Sequence, residues 1–281
     1  MSGFSAEWLD LREAADRAAR NAALRDAVAR AFARREHLAI VDLACGSGSN
    51  LRGLAEFLPA RQRWRLVDHD PALLAAASAR LVAWADAAEE SAETLVLAKG
   101  GRRIVVEFLG ADLSAGAAAA LDGEIDLMTS AAFFDLVSAH WLERFAAEIA
   151  ARRLPLYALL SYSGEEAWAP PHAADVEMLA AFHRHQARDK GFGAAAGPRA
   201  ASLLQEALER RGFAVETAPS PWRLGASQAA LIEALADGSA AAVAETGEVS
   251  ARTIERWRRA RRAAAGCEIG HLDLFARPTT A

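Results

Sequence analysis

Cysteine is almost missing from this sequence: Cys45 and Cys267 are the only two among 281 residues. So few thiols give neither a disulfide framework nor a metal cluster, so no metal is expected and a reducing cytoplasmic location is. A surplus of positive charge is missing too. Lys and Arg number 32 against 37 Asp and Glu, a formal net charge of −5. Nucleic acid is therefore a poor candidate for the main partner, because polyanion binding usually needs a basic face. No apolar run is long and charge-free enough to cross a bilayer, so no membrane partner is expected. The first residues lack the apolar core behind a basic start that marks a secretory signal. No internal repeat is visible.

What the sequence has in plenty is Ala and other apolar residues, 53% hydrophobic in all, which points to a compact and largely helical chain. Residues 4 to 36 carry Phe4, Trp8, Leu11, Ala15, Ala19, Leu24, Val28 and Phe32 at helical spacing among charges. They read as an N-terminal helical cap, residues 1–36, before a main domain of residues 37–281. Short apolar strands then alternate with helices, the pattern of a mostly parallel sheet covered on both faces. Strands are expected at 38–43, 63–67, 104–109, 125–130, 156–161, 214–218 and 269–276, and helices at 51–57, 71–88, 115–121, 134–152 and 199–211. The expected fold is a doubly wound α/β architecture with a seven-stranded sheet. Two segments exceed the repeat: 164–198, a polar loop through Pro170 and Pro171, a helix near 176–188 and the Gly-rich Gly191–Gly197, and the helical 226–265. Both follow late strands, where loops shape ligand sites, so both are expected to form a substrate lid.

The most informative stretch is Ile40-Val41-Asp42-Leu43-Ala44-Cys45-Gly46-Ser47-Gly48-Ser49-Asn50, a strand running into a small-residue turn and then a helix. Gly46 and Gly48 let the backbone approach a ligand closely. A dinucleotide pattern would place a third Gly where Leu51 stands, which weakens a nicotinamide reading. About twenty residues on, Asp68 ends the second strand, where a ribose-binding fold needs a carboxylate. Asp70 reads instead as the cap of the helix opening with Pro71. Asp112 follows the third strand.

On these residues the sequence resembles the class I, Rossmann-like methyltransferases that use S-adenosylmethionine (SAM). Asp42, Ala44, Gly46 and Gly48 match the family's glycine-rich signature, with Ala in place of the first Gly, and Ser130 to Asp135 resembles its fourth motif. The match covers residues 38 to about 162, and the final two strands by topology only. The resemblance implies that the glycine turn lies against the methionine and ribose of SAM, with Asp42 toward the ammonium, Asp68 and His69 at the ribose, and Asp112 and Leu113 at the adenine. It places Ser130 beside the sulfonium. The product would be S-adenosylhomocysteine.

Other residues have two readings. Arg12, Asp16 and Arg20 share one face of the first helix, and Arg20 could pair with the methionine carboxylate; the plainer alternative is a solvated face with i,i+4 pairs. Asp112 could equally cap a turn. Asp135, His172 and His185 are candidate deprotonating or orienting groups, with His183 and Tyr162 beside them. His183 and His185 lie two apart on a helix, so only one can face a site. Residues 185–193 are a candidate substrate loop. The Arg256 to Arg262 cluster around Trp257 could meet phosphate, or be a solvated helix face. Trp168, Trp222 and Trp257 are candidate pocket walls or core residues.

Methyl transfer needs alignment and a dry pocket rather than a covalent nucleophile. Neither cysteine follows a proline, as carbon-5 pyrimidine methyltransferases require, and Ser130-Ala131-Ala132-Phe133 stands where amino-group methyltransferases of DNA and glutamine carry Asn/Asp-Pro-Pro-Tyr. The expected acceptor is the oxygen or nitrogen of a small molecule. A non-catalytic SAM-binding or regulatory protein, aminopropyl transfer from decarboxylated SAM and an NAD(P)-dependent oxidoreductase stay open as alternatives. The sequence leaves room for a homodimer.

Overall fold

A computed structural model describes residues 4–91 and 94–279; residues 1–3 of the expected cap lie outside them. Two helices open the chain, α1 (Ala6–Ala19) and α2 (Ala22–Phe32). Then come β1 (His37–Leu43), α3 (Ser49–Leu54), β2 (Arg61–Asp68), α4 (Pro71–Trp84), β3 (Ala87–Glu90), β4 (Leu95–Lys99), β5 (Arg102–Gly110) and β6 (Leu127–Ala131). The second half holds α5 (Ala139–Ala151), β7 (Leu156–Ala169), α6 (Asp175–Gln186), α7 (Ala200–Glu209), β8 (Phe213–Pro219), β9 (Trp222–Leu224), α8 (Ala229–Ala244), α9 (Ala251–Arg262) and β10 (Gly266–Pro278).

Strands β5, β2, β1, β6 and β7 run parallel, in that order. Chain winding reverses between β1 and β6, and this switch point opens a crevice at the strands' carboxyl ends. Every residue of β1 after His37 is buried, with side chains alternating between two cores, as a sheet covered on both sides requires. Val41, Leu43, Val67 and Met128 pack with Trp141, Phe145 and Ile149 of α5 and Leu204 of α7. Leu38, Ile40, Leu66 and Leu127 face Leu24, Val28, Leu51, Ala77 and Leu81 of α2, α3 and α4.

The doubly wound, mostly parallel architecture is the expected one, but the sheet has ten strands among the described residues rather than seven. The helix expected to reach residue 88 stops at Trp84, and β3 and β4 extend the sheet edge as an antiparallel hairpin. Asp86 closes it, accepting from Lys99 Nζ and Gly100 N, each at 2.8 Å. Pairing across the hairpin thus outweighs the helix propensity of Ala and Glu. The helix expected at 115–121 is a single 3-10 turn, Ala118–Leu121.

The expected polar loop at 164–169 is instead the outer half of β7. It pairs antiparallel with Gly266 to Ile269 of β10, so the two strands project beyond the parallel sheet as a ribbon, edged by β9. Around this ribbon lies a third core. Met178 of α6, Leu231, Ile232 and Val243 of α8 and Trp257 of α9 pack there with Tyr162, Trp168, Trp222 and Ile269, and Ala15 of α1 joins them.

Candidate functional site

β1 ends in the glycine turn. Ala44, Gly46 and Gly48 all take positive φ, at 51°, 53° and 75°, the left-handed region that costs a residue with a Cβ about 1–2 kcal/mol. Gly46 is also crowded, since a Cβ there would lie 2.8 Å from Leu9 Cδ1. Helix α1 therefore lies directly on the turn. Charge pairs hold it there: Glu13 grips Arg52 of α3 at 3.0 and 2.6 Å, and Arg52 Nη1 donates to Ser47 O at 2.8 Å. Asp10 pairs with Arg80 of α4.

Asp68, at the tip of β2, is buried. Its Oδ2 accepts from Gly46 N at 2.9 Å and its Oδ1 from Asp70 N at 3.1 Å, so this carboxylate also shapes the turn. His69 Nδ1 lies 3.3 Å from it, with an exposed ring. Asp70 caps α4 through Ala72 N at 2.8 Å, ahead of Pro71 at the first helical turn.

Two opposite charges are buried beside the turn without full partners. Arg20, at the C-terminal end of α1, is buried, and its Nε and Nη1 have no hydrogen-bond partner. Burial pushes its guanidinium pKa down, against the field of nearby Asp16, Asp273 and Asp42. Asp42 is fully buried; Asn50 Nδ2 donates to its Oδ1 at 2.8 Å, while Oδ2 has no partner. Desolvation raises its pKa to about 7, opposed by Asn50 and Arg20. Orphaned buried charges are costly, so a cation and an anion left this way match a zwitterion with a carboxylate and an ammonium. The arrangement fits the amino-acid end of SAM.

Across the crevice, Asp135 follows β6 in the turn Phe134–Leu136. It is buried, Gln186 Nε2 approaches its Oδ2 at 3.4 Å, and its Oδ1 has no partner. Burial pushes its carboxyl up to about 6, so it can exchange a proton near neutral pH. Tyr162 of β7 lies beside it. The Tyr162 hydroxyl donates to Glu166 Oε1 at 2.9 Å and lies 3.1 Å from His183 Nε2. Burial raises both the phenol and the Glu166 carboxyl. His271, opposite Tyr162 on β10, packs on Trp222 with ring centroids 5.0 Å apart; burial and then Arg12 push its pKa down to about 3, so it is neutral.

The face of Arg12, Asp16 and Arg20 is buried, not solvated. Arg12 and Asp16 still form the i,i+4 pair, at 2.9 and 3.1 Å, but Trp222 Nε1 donates to Asp16 at 3.0 Å and Arg12 stacks 4.9 Å above the Trp222 ring. Asp112 is exposed and accepts from Ser114 N at 2.8 Å, the turn-capping alternative; Leu113 is buried and its carbonyl takes the Trp141 indole N–H at 2.7 Å. Ser130 donates its hydroxyl to Leu43 O at 2.8 Å, which ties β6 to β1.

Of the candidate histidines, His172 is used locally: its Nδ1 accepts from Ala174 N at 3.1 Å at the start of α6. His185 turns away from Tyr162 and meets Glu245 of α8 at 3.0 Å. The inward histidine is His183, whose pKa burial lowers. In the Gly-rich loop, Asp189 Oδ1 accepts from Gly191 N and Gly193 N at 2.6 and 2.9 Å, and Phe192 packs 5.5 Å from Phe133. Its special residues thus close a turn. Arg258, Arg261 and Arg262 are committed to Asp237, Asp175 and Glu233.

The sequence reading missed His271, Glu166 and Asp273. His271 and Asp273 are polar residues interrupting the apolar pattern of Ile269 to Phe275, a signal the sequence carries, whereas Glu166 lies in the polar stretch Ser163 to Glu166, where nothing marks it. Asp273 is fully buried and accepts from Leu160 N at 2.9 Å and Asn21 N at 2.8 Å.

No protein-family model matches the sequence, and neither does any curated protein. Among solved structures, the YcgJ protein of Bacillus subtilis is similar with a TM-score of 0.50 at 9% identity, over 93% of this chain and 100% of that one. A cyclopropane-fatty-acyl-phospholipid synthase-like protein from Lactobacillus casei gives 0.49 at 15% identity, over 97% and 94%. The cyclopropane synthase MmaA2 of Mycobacterium tuberculosis gives 0.48 at 12%, over 91% and 83%. The likeness is one of fold, and the fold is the Rossmann-like one that the sequence resemblance implies.

Proposed function

We propose that this chain is a class I SAM-dependent methyltransferase that transfers a methyl group to an oxygen or nitrogen of a small molecule. The observation that carries the reading is the pair of buried, incompletely partnered charges at the glycine turn, Arg20 and Asp42. Arg20 would hold the methionine carboxylate of SAM and Asp42 its ammonium. Asp68 keeps lone pairs beyond its two backbone bonds for the ribose hydroxyls. Gly46 and Gly48 admit the cofactor's backbone approach, which requires Leu9 to yield. Leu51, a fully buried residue of α3, occupies the place of a dinucleotide site's third Gly.

When bound, SAM supplies an activated methyl group on sulfonium. The protein's own part is alignment and exclusion of water. Helices α1 and α2 serve as a cap, and the insertions 164–198 and 226–265 serve as a lid over the acceptor. Asp135 is the proposed proton acceptor, because its unpartnered Oδ1 and carboxyl pKa of about 6 suit that role near neutral pH. Gln186, 3.4 Å from its Oδ2, would orient it, and His183 is bonded to the neighbouring Tyr162. No helix among the described residues is long and apolar enough to cross a membrane; two unpaired buried cysteines accord with the cytoplasm as its place of work.

Calorimetric titration with SAM, S-adenosylhomocysteine and NAD tests the reading. Saturable SAM binding, lost in Arg20→Ala and absent for NAD, is the expected result; a chain that binds NAD or ignores SAM sinks it.

A further inference from the structure

Beyond Tyr162, among α6, α8 and α9, lies a cavity of about 90 Å³, room for several water-sized groups. The rings of Trp168, Phe182 and Trp257 wall it, with Met178 and Leu179. Trp168 and Trp257 meet edge to face with centroids 5.7 Å apart. Two acids reach it, and they differ. Asp175 is neutralised by Arg261 at 3.0 Å and accepts from Trp257 Nε1 at 2.8 Å. Glu166 accepts only from neutral donors, the Tyr162 hydroxyl at 2.9 Å and Trp168 Nε1 at 3.4 Å. Val176, 82% exposed, stands at the rim and marks the way in.

Aromatic faces attract positive charge, and a buried carboxylate without a countercharge attracts it further. The apolar walls offer nothing to replace the water of a hydrated metal ion, whereas alkyl groups on nitrogen would pack against them. We propose that this cavity is a binding site for an organic ammonium group. The group belongs either to the methyl acceptor, in which case the inference rests on the methyltransferase reading, or to a separate effector.

The full chain is titrated with choline and with its uncharged isostere, in which a tert-butyl group replaces the trimethylammonium, while fluorescence of the wall tryptophans is followed. Choline should give a saturable change and bind at least roughly tenfold more tightly than the alcohol. Glu166→Gln, which keeps the size and one acceptor oxygen of the side chain but removes its charge, should abolish that preference. Phe182→Leu, which keeps apolar bulk but removes a ring face, should weaken choline several-fold. A single cooperative melting transition in each variant shows that it is folded. No saturable response to choline, equal affinity for the two compounds, or undiminished preference in Glu166→Gln overturns the proposal. N,N-Dimethylethanolamine with SAM separates the sources: its methylation identifies the acceptor's own ammonium, and binding without turnover identifies an effector. Choline binding in a chain that ignores SAM would leave this site standing and remove the methyltransferase reading alone.

Discussion

Replacing Asp42 by Asn should make the unliganded protein more stable and a worse binder of SAM. Burial moves the Asp42 carboxyl from an ordinary 3.8 to about 7. The folded protein therefore holds a proton that the unfolded chain gives up between those values, and stability falls as pH rises through that window. The loss accumulates from pH 3.8, reaches about 2 kcal/mol at pH 5, and is complete at about 4 kcal/mol above pH 7, an upper bound. Asn at this position carries no charge to desolvate and can still accept from Asn50. At about 2 °C per kcal/mol for a chain of this size, the melting temperature at pH 8 should rise by up to ~8 °C, and the gain should shrink by about half at pH 5. SAM affinity should fall at least roughly tenfold, because the ammonium loses the anionic partner proposed for it. Wild-type protein should release a proton on binding SAM below pH 7, visible as a buffer-dependent binding enthalpy. Melting scans at pH 5 and 8 with parallel titrations decide the matter. A variant no more stable than wild type at pH 8, or a difference that ignores pH, refutes the reasoning.

Ala44→Gly should stabilise the protein by about 0.5–1 kcal/mol in urea unfolding, since relief of the positive φ exceeds the entropy that Gly adds to the unfolded chain. Asp273→Ala strands two buried backbone donors, Asn21 N and Leu160 N, and should cost about 2–4 kcal/mol, weakening SAM binding as the helix junction carrying Arg20 loosens. With any acceptor that supports turnover, the rate should rise with pH through about 6 as Asp135 ionises, and Asp135→Asn should lack that limb. Trp222→Phe keeps the ring but removes the bond to Asp16; urea unfolding should show a loss of about 1 kcal/mol.

The parallel strands were legible because both faces of each are buried, which leaves near-continuous apolar runs such as Leu38 to Leu43. The glycine turn, the Asp70 cap and the Asp68 strand tip were legible because backbone geometry restricts which residue types fit there. The β3–β4 hairpin was not: Ala85 to Glu90 has a helical composition, and only pairing with Leu95 to Lys99 makes it a strand. Charge was the other obscure part. Nothing in the helical spacing of Arg12, Asp16 and Arg20 distinguishes a solvated face from one pressed against Trp222 and the glycine turn, because the burying partner is 206 positions away from Asp16. His185 and His183 illustrate the same limit, since spacing said that one of them faces inward and only α8 with its Glu245 decided which.

The bond from Asn21 N to Asp273 spans 252 positions, and that separation dictates an order of assembly. As the chain leaves the ribosome, β1, β2, β5 and β6 can begin to pair from locally supplied strands. The helix junction bearing Arg20 has no anchor on β10 until β10 itself has emerged, and long-range pairings of this kind form late and slowly. A nascent chain therefore displays its glycine turn without a fixed cap until β10 is in place, so Arg20 and Asp42 come into their final positions only after β10 has paired.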